Sequence, residues 1–136
     1  MNSNKNKRFE KLYRKKFDNP VIYGFAKDVP TLDLQIKKLK HFCDNNKIKH
    51  SFIIFDLGGD NLFENKSTLY NYILKHSNEN ILINDLERIS ENKEEILDAQ
   101  MLAKENNVNI YILNKDMMLN EIMITPINKK DEKDIC

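Results

Sequence analysis

Within seven residues, "DLERISE" (85–91), the chain places the carboxylates of Asp85, Glu87 and Glu91 around the guanidinium of Arg88, directly after the apolar run Ile81-Leu82-Ile83 and Asn84. An arginine at such a change of character can grip a phosphate with its planar fork of donors. The same residue also reads as a partner in exposed ion pairs, which are common and weak. Lys66 and Lys27 are further candidates for phosphate contact, although lysines near helix starts are ordinarily solvated. Ser67 and Ser90 carry hydroxyls, but each reads as a helix cap: Ser67-Thr68 before one helix, Ser90 before Asn92 in front of another. Asp56, Asp60, Asp85 and Glu87 offer oxygens to a divalent ion without matching a known ligand spacing. His41, His50 and His76 are scattered, and neither Cys43 nor Cys136 has a ligand neighbour, so neither a metal nor a cofactor is expected.

The net charge of +1 conceals an asymmetry. Residues 1–16 carry Lys5, Lys7, Arg8, Lys11, Arg14, Lys15 and Lys16 against Glu10 alone, while the remainder is slightly acidic. A basic arm of this kind can neutralise DNA phosphates and release counterions; it reads equally as a solvated extension. No apolar run approaches the roughly 20 residues of a membrane helix, and the lysine-rich start lacks the apolar segment of a secretory signal. The expectation is a cytoplasmic chain with no membrane contact, and the few cysteines suit that compartment.

A length of 136 residues with 40% hydrophobic and 32% charged content fits one folded domain with a wet surface. The expected organisation is a basic extension over 1–19, a domain over 20–128 and a charged tail over 129–136. Phe9, Leu12, Tyr13 and Phe17 recur at helical spacing, which suits a short amphipathic helix docked on the domain. "VIYGFA" (21–26) is a compact first strand. Leu32, Ile36, Leu39 and Cys43 mark a helix that Thr31 would cap.

"SFIIF" (51–55) is a second strand, and its unbroken apolarity predicts burial on both faces of a parallel sheet. A loop follows, in which Gly58 and Gly59 permit backbone angles closed to other residues. Leu69, Tyr72 and Ile73 mark a short helix, and Ile81 to Ile83 a third strand. Ile96, Ala99 and Ala103 mark a helix from about 92 to 106, before a fourth strand from Val108 to Leu113. Strands alternating with helices predict a doubly wound α/β domain with a mostly parallel sheet of four to five strands. "NEIMITPIN" (120–128) could supply an edge strand, with Pro126 at its exit. Met117-Met118 and the apolar residues after them suit either a protein-binding edge or ordinary packing.

In an open parallel sheet, ligands bind beyond the carboxyl ends of the strands where strand order reverses. A 2-1-3-4 order would bring Gly24 to Asp28 beside Asp85 to Glu91, with Gly58, Gly59 and Lys66 at the border.

Over about residues 21–115 the sequence resembles the catalytic domain of the serine recombinases, the resolvases and invertases. "TLDLQIKKLKHFCDNN" is similar to their first helix with its L-D-x-Q segment. "DLERISEN", with the helix and strand after it, is similar to their D-L-D-R-L-S-R loop, and "DLGGDNLFENKSTL" to their glycine-containing loop leading to an arginine. The resemblance implies a resolvase-like fold. It also implies a chemistry in which a serine attacks a DNA phosphate while arginines stabilise the charged transition state.

The site positions depart from that pattern. The family serine and arginine lie in a Y-A-R-V-S segment ending the first strand. An ungapped register puts Ala26 at the serine and Gly24 at the arginine, and a one-residue gap puts Lys27 and Phe25 there. A third register retains Lys27 as a cation and deletes the serine-bearing turn. None supplies a serine.

Arg88 keeps one arginine, Glu87 replaces an aspartate, and Glu91 stands where a second arginine is usual. Two charges about 4 Å apart interact by roughly 4 kcal/mol at intermediate dielectric, so the reversal at Glu91 opposes a phosphoryl anion. Lys66 keeps the charge of the glycine-loop arginine without its fork. No arginine follows Arg88, and the residues after the fourth strand show no long amphipathic pattern, so neither the family's further active-site arginines nor the long helix through which it dimerises is expected.

The reading is a catalytically inactive recombinase-like module for regulation or binding, with a protein partner, DNA through the arm, or both. The alternatives are an active recombinase or nicking protein with a shifted nucleophile or a full-length partner, and a receiver-like signalling domain phosphorylated at Asp85.

Overall fold

The computed structural model describes residues 17–125 together with Phe9, Leu12 and Tyr13. Lys11, Arg14, Lys15 and Lys16 of the arm, Pro126 and the tail over 129–136 lie outside the described residues.

The chain runs β1 (Val21–Ala26), α1 (Val29–Asn45), β2 (Ile53–Leu57), α2 (Ser67–Lys75), β3 (Asn80–Ile83), α3 (Lys93–Glu105), β4 (Asn109–Ile112) and β5 (Met117–Met118). The sheet order is β2-β1-β3-β4-β5. The first four strands are parallel and β5 is antiparallel to β4. This is the predicted α/β class, with strand order reversing between β1 and β3.

Alternation along the strands creates two cores. On one face Val21, Tyr23, Phe25, Ile81, Ile83, Ile110 and Ile112 pack against Leu69 and Ile73 of α2 and Ile96, Ala99 and Ala103 of α3. On the other, Ile22, Leu82 and Tyr111 pack against Leu39, Phe42 and Cys43 of α1. Phe9, Tyr13 and Phe17 complete that second core as the spacing predicts, whereas Leu12 is half exposed. Phe9 meets Phe42 and Tyr111 edge-on, with ring centroids 5.2 and 5.1 Å apart. Burying one such ring contributes about 1.5–3 kcal/mol, so these aromatics help to hold the sheet's second face.

Several local expectations are corrected. Helix α1 begins before Thr31: Asp28 is its N-cap and accepts from the Thr31 N–H at 2.8 Å, with Pro30 in the first turn. A carboxylate there meets the free N–H groups better than the threonine three residues on. Ser67 and Thr68 supply no side-chain cap. Asp56, reaching from β2, accepts from the N–H groups of Thr68 and Leu69 instead, at 3.0 and 3.2 Å. Asn92, not Ser90, caps α3, accepting from Glu94 and Glu95.

Strand β2 is not buried on both faces. It lies at the sheet's edge, and Phe52, Phe55 and Leu57 are about half exposed, at 53%, 49% and 46%. An apolar run reports strand propensity but not position within the sheet, which pairing decides. Among the described residues the opposite edge is Met117–Met118; of the expected edge segment 120–128, Leu119–Glu121 coils into a single turn, 122–125 form no strand, and 126–128 lie outside the described residues. Gly58 and Gly59 take φ of 78° and 77°, the left-handed backbone expected of them.

Candidate functional site at the strand switch point

The pairing of β1 with β3 is registered at Val21–Ile81 and Ile22–Leu82, near the start of both strands. Beyond it, side chains join the strand ends, and they converge on Phe25. Its N–H donates to Gln35 Oε1 at 3.0 Å, and its carbonyl accepts from Gln35 Nε2 at 2.7 Å and from Arg88 Nη1 at 2.7 Å. Lys66 Nζ lies 4.3 Å from the centre of its ring. The end of β1 is therefore held by α1, by the turn after β3 and by the loop after β2.

Arg88 sits in the single turn Leu86–Arg88 and is largely engaged. Besides the Phe25 carbonyl it contacts Asp85 Oδ1 from Nε at 3.0 Å and Glu87 Oε1 from Nη2 at 3.4 Å. Its guanidinium bridges strand ends, and only the contact to exposed Glu87 is the surface pair that the sequence suggests.

Lys66 overturns the expectation of a solvated lysine: it is fully buried. The turn Phe63–Asn65 folds its stem inward, leaving Nζ over Phe25 and donating to the Leu62 carbonyl at 3.3 Å. Burial pushes its pKa down to about 8, opposed by the negative fields of Glu95, Asp56 and Glu91 and reinforced by Arg88.

Two buried networks flank this lysine. Tyr23 donates to Asp56 Oδ2 at 2.8 Å, and burial first, then the Asp56 charge, raises the phenol's pKa strongly. Ser90 donates to Glu95 Oε1 at 2.6 Å and accepts from the Asn92 N–H at 3.0 Å, while Glu95 also accepts from the Phe63 N–H at 2.9 Å. Ser90 is thus buried and committed to the α3 start. Burial also pushes the Cys43 thiol up to about 12, which keeps it an unreactive core residue.

The other positions singled out in the sequence disperse. Lys27 is exposed, Ala26 is buried, and Glu87 and Glu91 face solvent. Gly24 is pressed by α1: a Cβ there would lie 2.8 Å from Leu32 Cδ1 and 2.9 Å from Ile36 Cδ1. A side chain there requires the tips of Leu32 and Ile36 to move aside. The open groove beside this end of the sheet is lined by Asp60, Asn61, Leu62, Glu91 and Asn92, which contribute two carboxylates and no cation. Among the described residues no cluster of His, Cys, Asp and Glu is placed to hold a metal, and no helix is long and apolar enough to cross a membrane.

No protein-family model matches the chain, and no curated protein matches it by sequence. Among solved structures it is similar to the N-terminal catalytic domain of TP901-1 integrase, with a TM-score of 0.61 and 17% identity over 74% of this chain and 80% of that one. The chain has a serine-recombinase-like fold.

Within that serine-recombinase-like fold, the switch-point end of β1 is closed rather than open. Sequence alone does not mark Gln35 or Glu95 as site residues, and it marks Asp56 only as one of four acids that could offer oxygens to a divalent ion. A signal existed for Gln35, a polar residue on the Leu32, Ile36 and Leu39 stripe of α1. The roles of Asp56 and Glu95 carry none, because each joins donors from separate elements: Tyr23, Thr68 and Leu69 for Asp56, and Ser90 and Phe63 for Glu95.

Proposed function

We propose that the chain is a catalytically inactive serine-recombinase-like module that serves in regulation or binding, with a protein partner as its principal contact and DNA as a contact of the basic arm. The observation that carries this reading is the closed end of β1. Residues 21–30 contain no serine, and at Gly24, an arginine position in the ungapped register, the side-chain tips of Leu32 and Ile36 crowd the place of a Cβ. Electrostatic catalysis of phosphoryl transfer needs preorganised donors aimed at the developing charge. Here Arg88 already donates to Phe25, Asp85 and Glu87, and Lys66 is buried. The neighbouring groove presents Asp60 and Glu91, which repel a phosphate backbone and suit a partner with donor or cationic groups.

The test is incubation of the full chain with supercoiled DNA, followed by denaturing electrophoresis with and without protease. The expected result is unchanged DNA. A slow-migrating covalent species that protease removes would overturn the proposal. DNA contact by the arm is read separately, as binding that falls steeply with salt and weakens when Lys11, Arg14, Lys15 and Lys16 are replaced together by glutamine.

A further inference from the structure

Strand β2 has one strand neighbour among the described residues, β1, and its other edge is open. The Ile22 N–H donates to the Phe52 carbonyl at 3.1 Å, and the Gly58 N–H donates to the Ala26 carbonyl at 2.8 Å. Even-numbered residues thus turn their backbone groups toward β1. Alternation in a parallel ladder directs those of Ile53, Phe55 and Leu57 to the open side.

The side chains of these three residues share one face of the sheet, where Phe55 and Leu57 are about half exposed. Edge strands are ordinarily blunted by lysine, proline or inward charge. Residues 51–57 contain no lysine or proline, and their one charge, Asp56, is engaged with Tyr23 and the start of α2.

We propose that this edge pairs with the same edge of a second copy, antiparallel about a two-fold axis through Phe55, joining two five-stranded sheets into one. The strand is self-complementary in that arrangement. Phe55 faces its own counterpart, and Ile53 faces Leu57, so the exposed apolar side chains cover one another.

Charge agrees with the same axis. Lys47 and Lys49 lie exposed before the strand and Asp60 exposed after it. Antiparallel pairing therefore lays the basic entry of one copy along the acidic exit of the other. A foreign strand would need to supply both matches, whereas a second copy supplies them by symmetry.

Sedimentation equilibrium of the full chain is expected to show a dimer. Phe55→Lys should weaken it at least about tenfold, because the axis sets the two new cations against each other. Lys49→Glu and Asp60→Lys should each weaken it, and mixing those two variants should restore association as opposite charges meet again at both ends.

Hydrogen exchange reads the backbone contact directly: the amides of Ile53, Phe55 and Leu57 should gain protection as concentration rises. A chain that remains monomeric up to about 1 mM overturns the proposal. So does a dimer that leaves these amides unprotected, or one indifferent to both the Phe55 and the charge-swap variants. The charge-swap mixture decides the matter should Phe55→Lys fail to fold.

Discussion

The guanidinium of Arg88 donates from Nη1 to the carbonyl oxygen of Phe25 at 2.7 Å, bridging the sheet where strand order reverses. One contact therefore ties the turn after β3 to the end of β1, and it uses the group that would otherwise meet a phosphate. Arg88→Ala is expected to cost about 1.5–3 kcal/mol, the range for a hydrogen bond to a charged group. The measurement is a urea transition with unchanged slope and a lower midpoint. An Arg88→Ala chain as stable as the parent would mean that the guanidinium is held in reserve for a ligand.

Lys66→Met should stabilise the protein at neutral pH by about 1–3 kcal/mol, since replacing a buried charge by an apolar side chain of similar shape is often favourable. The pH dependence has a definite sign. Below about 8, folded and unfolded chains both hold the lysine proton, and the burial cost is present in full. Between about 8 and the ordinary value of 10.5 the unfolded chain binds more protons, so this residue makes stability rise with pH. The difference in unfolding free energy between Lys66→Met and the parent should shrink across that window. A constant difference would show that Lys66 titrates normally.

Asp56 accepts the first N–H groups of α2 and the hydroxyl of Tyr23. Asp56→Ala removes a helix cap and leaves a buried phenol without its acceptor, for an expected loss of about 2–4 kcal/mol. Tyr23→Phe in the same background should recover part of it, because the orphaned hydroxyl is then gone. A double-mutant cycle by thermal or urea unfolding checks the coupling.

Gly24→Ala is expected to destabilise by about 1–3 kcal/mol through overpacking against Leu32 and Ile36. Gly24→Arg should prevent folding or displace α1, seen as loss of cooperative melting. A well-folded Gly24→Arg chain would show that the helix can yield, and it would reopen this end of β1 as a catalytic position.

Much of the scaffold was legible in the sequence because its periodicities are local. Period-two and period-3.6 patterns locate the first four strands and three helices to within a few residues, since one strand face or helix stripe suffices to bury each element. Turn chemistry was legible for the same reason, as at Gly58 and Gly59. The strand order inferred from the alternation also places "DLERISEN" beside the end of β1, where Arg88 meets Phe25.

Local patterning along the chain sets the elements, their alternation and thus the α/β class. The work of each polar group emerges only when the elements pack together. Lys66 reads as a surface lysine until the loop after β2 folds over Phe25 and buries it. Asp56 reads as a metal-ligand candidate until the N-terminus of α2 arrives above it. "SFIIF" reads as an interior strand until the pairing order places it at the edge. The reason is the same in each case: a short apolar or charged segment specifies its preferred conformation locally, whereas burial, partner and charge state depend on residues brought beside it from elsewhere in the chain.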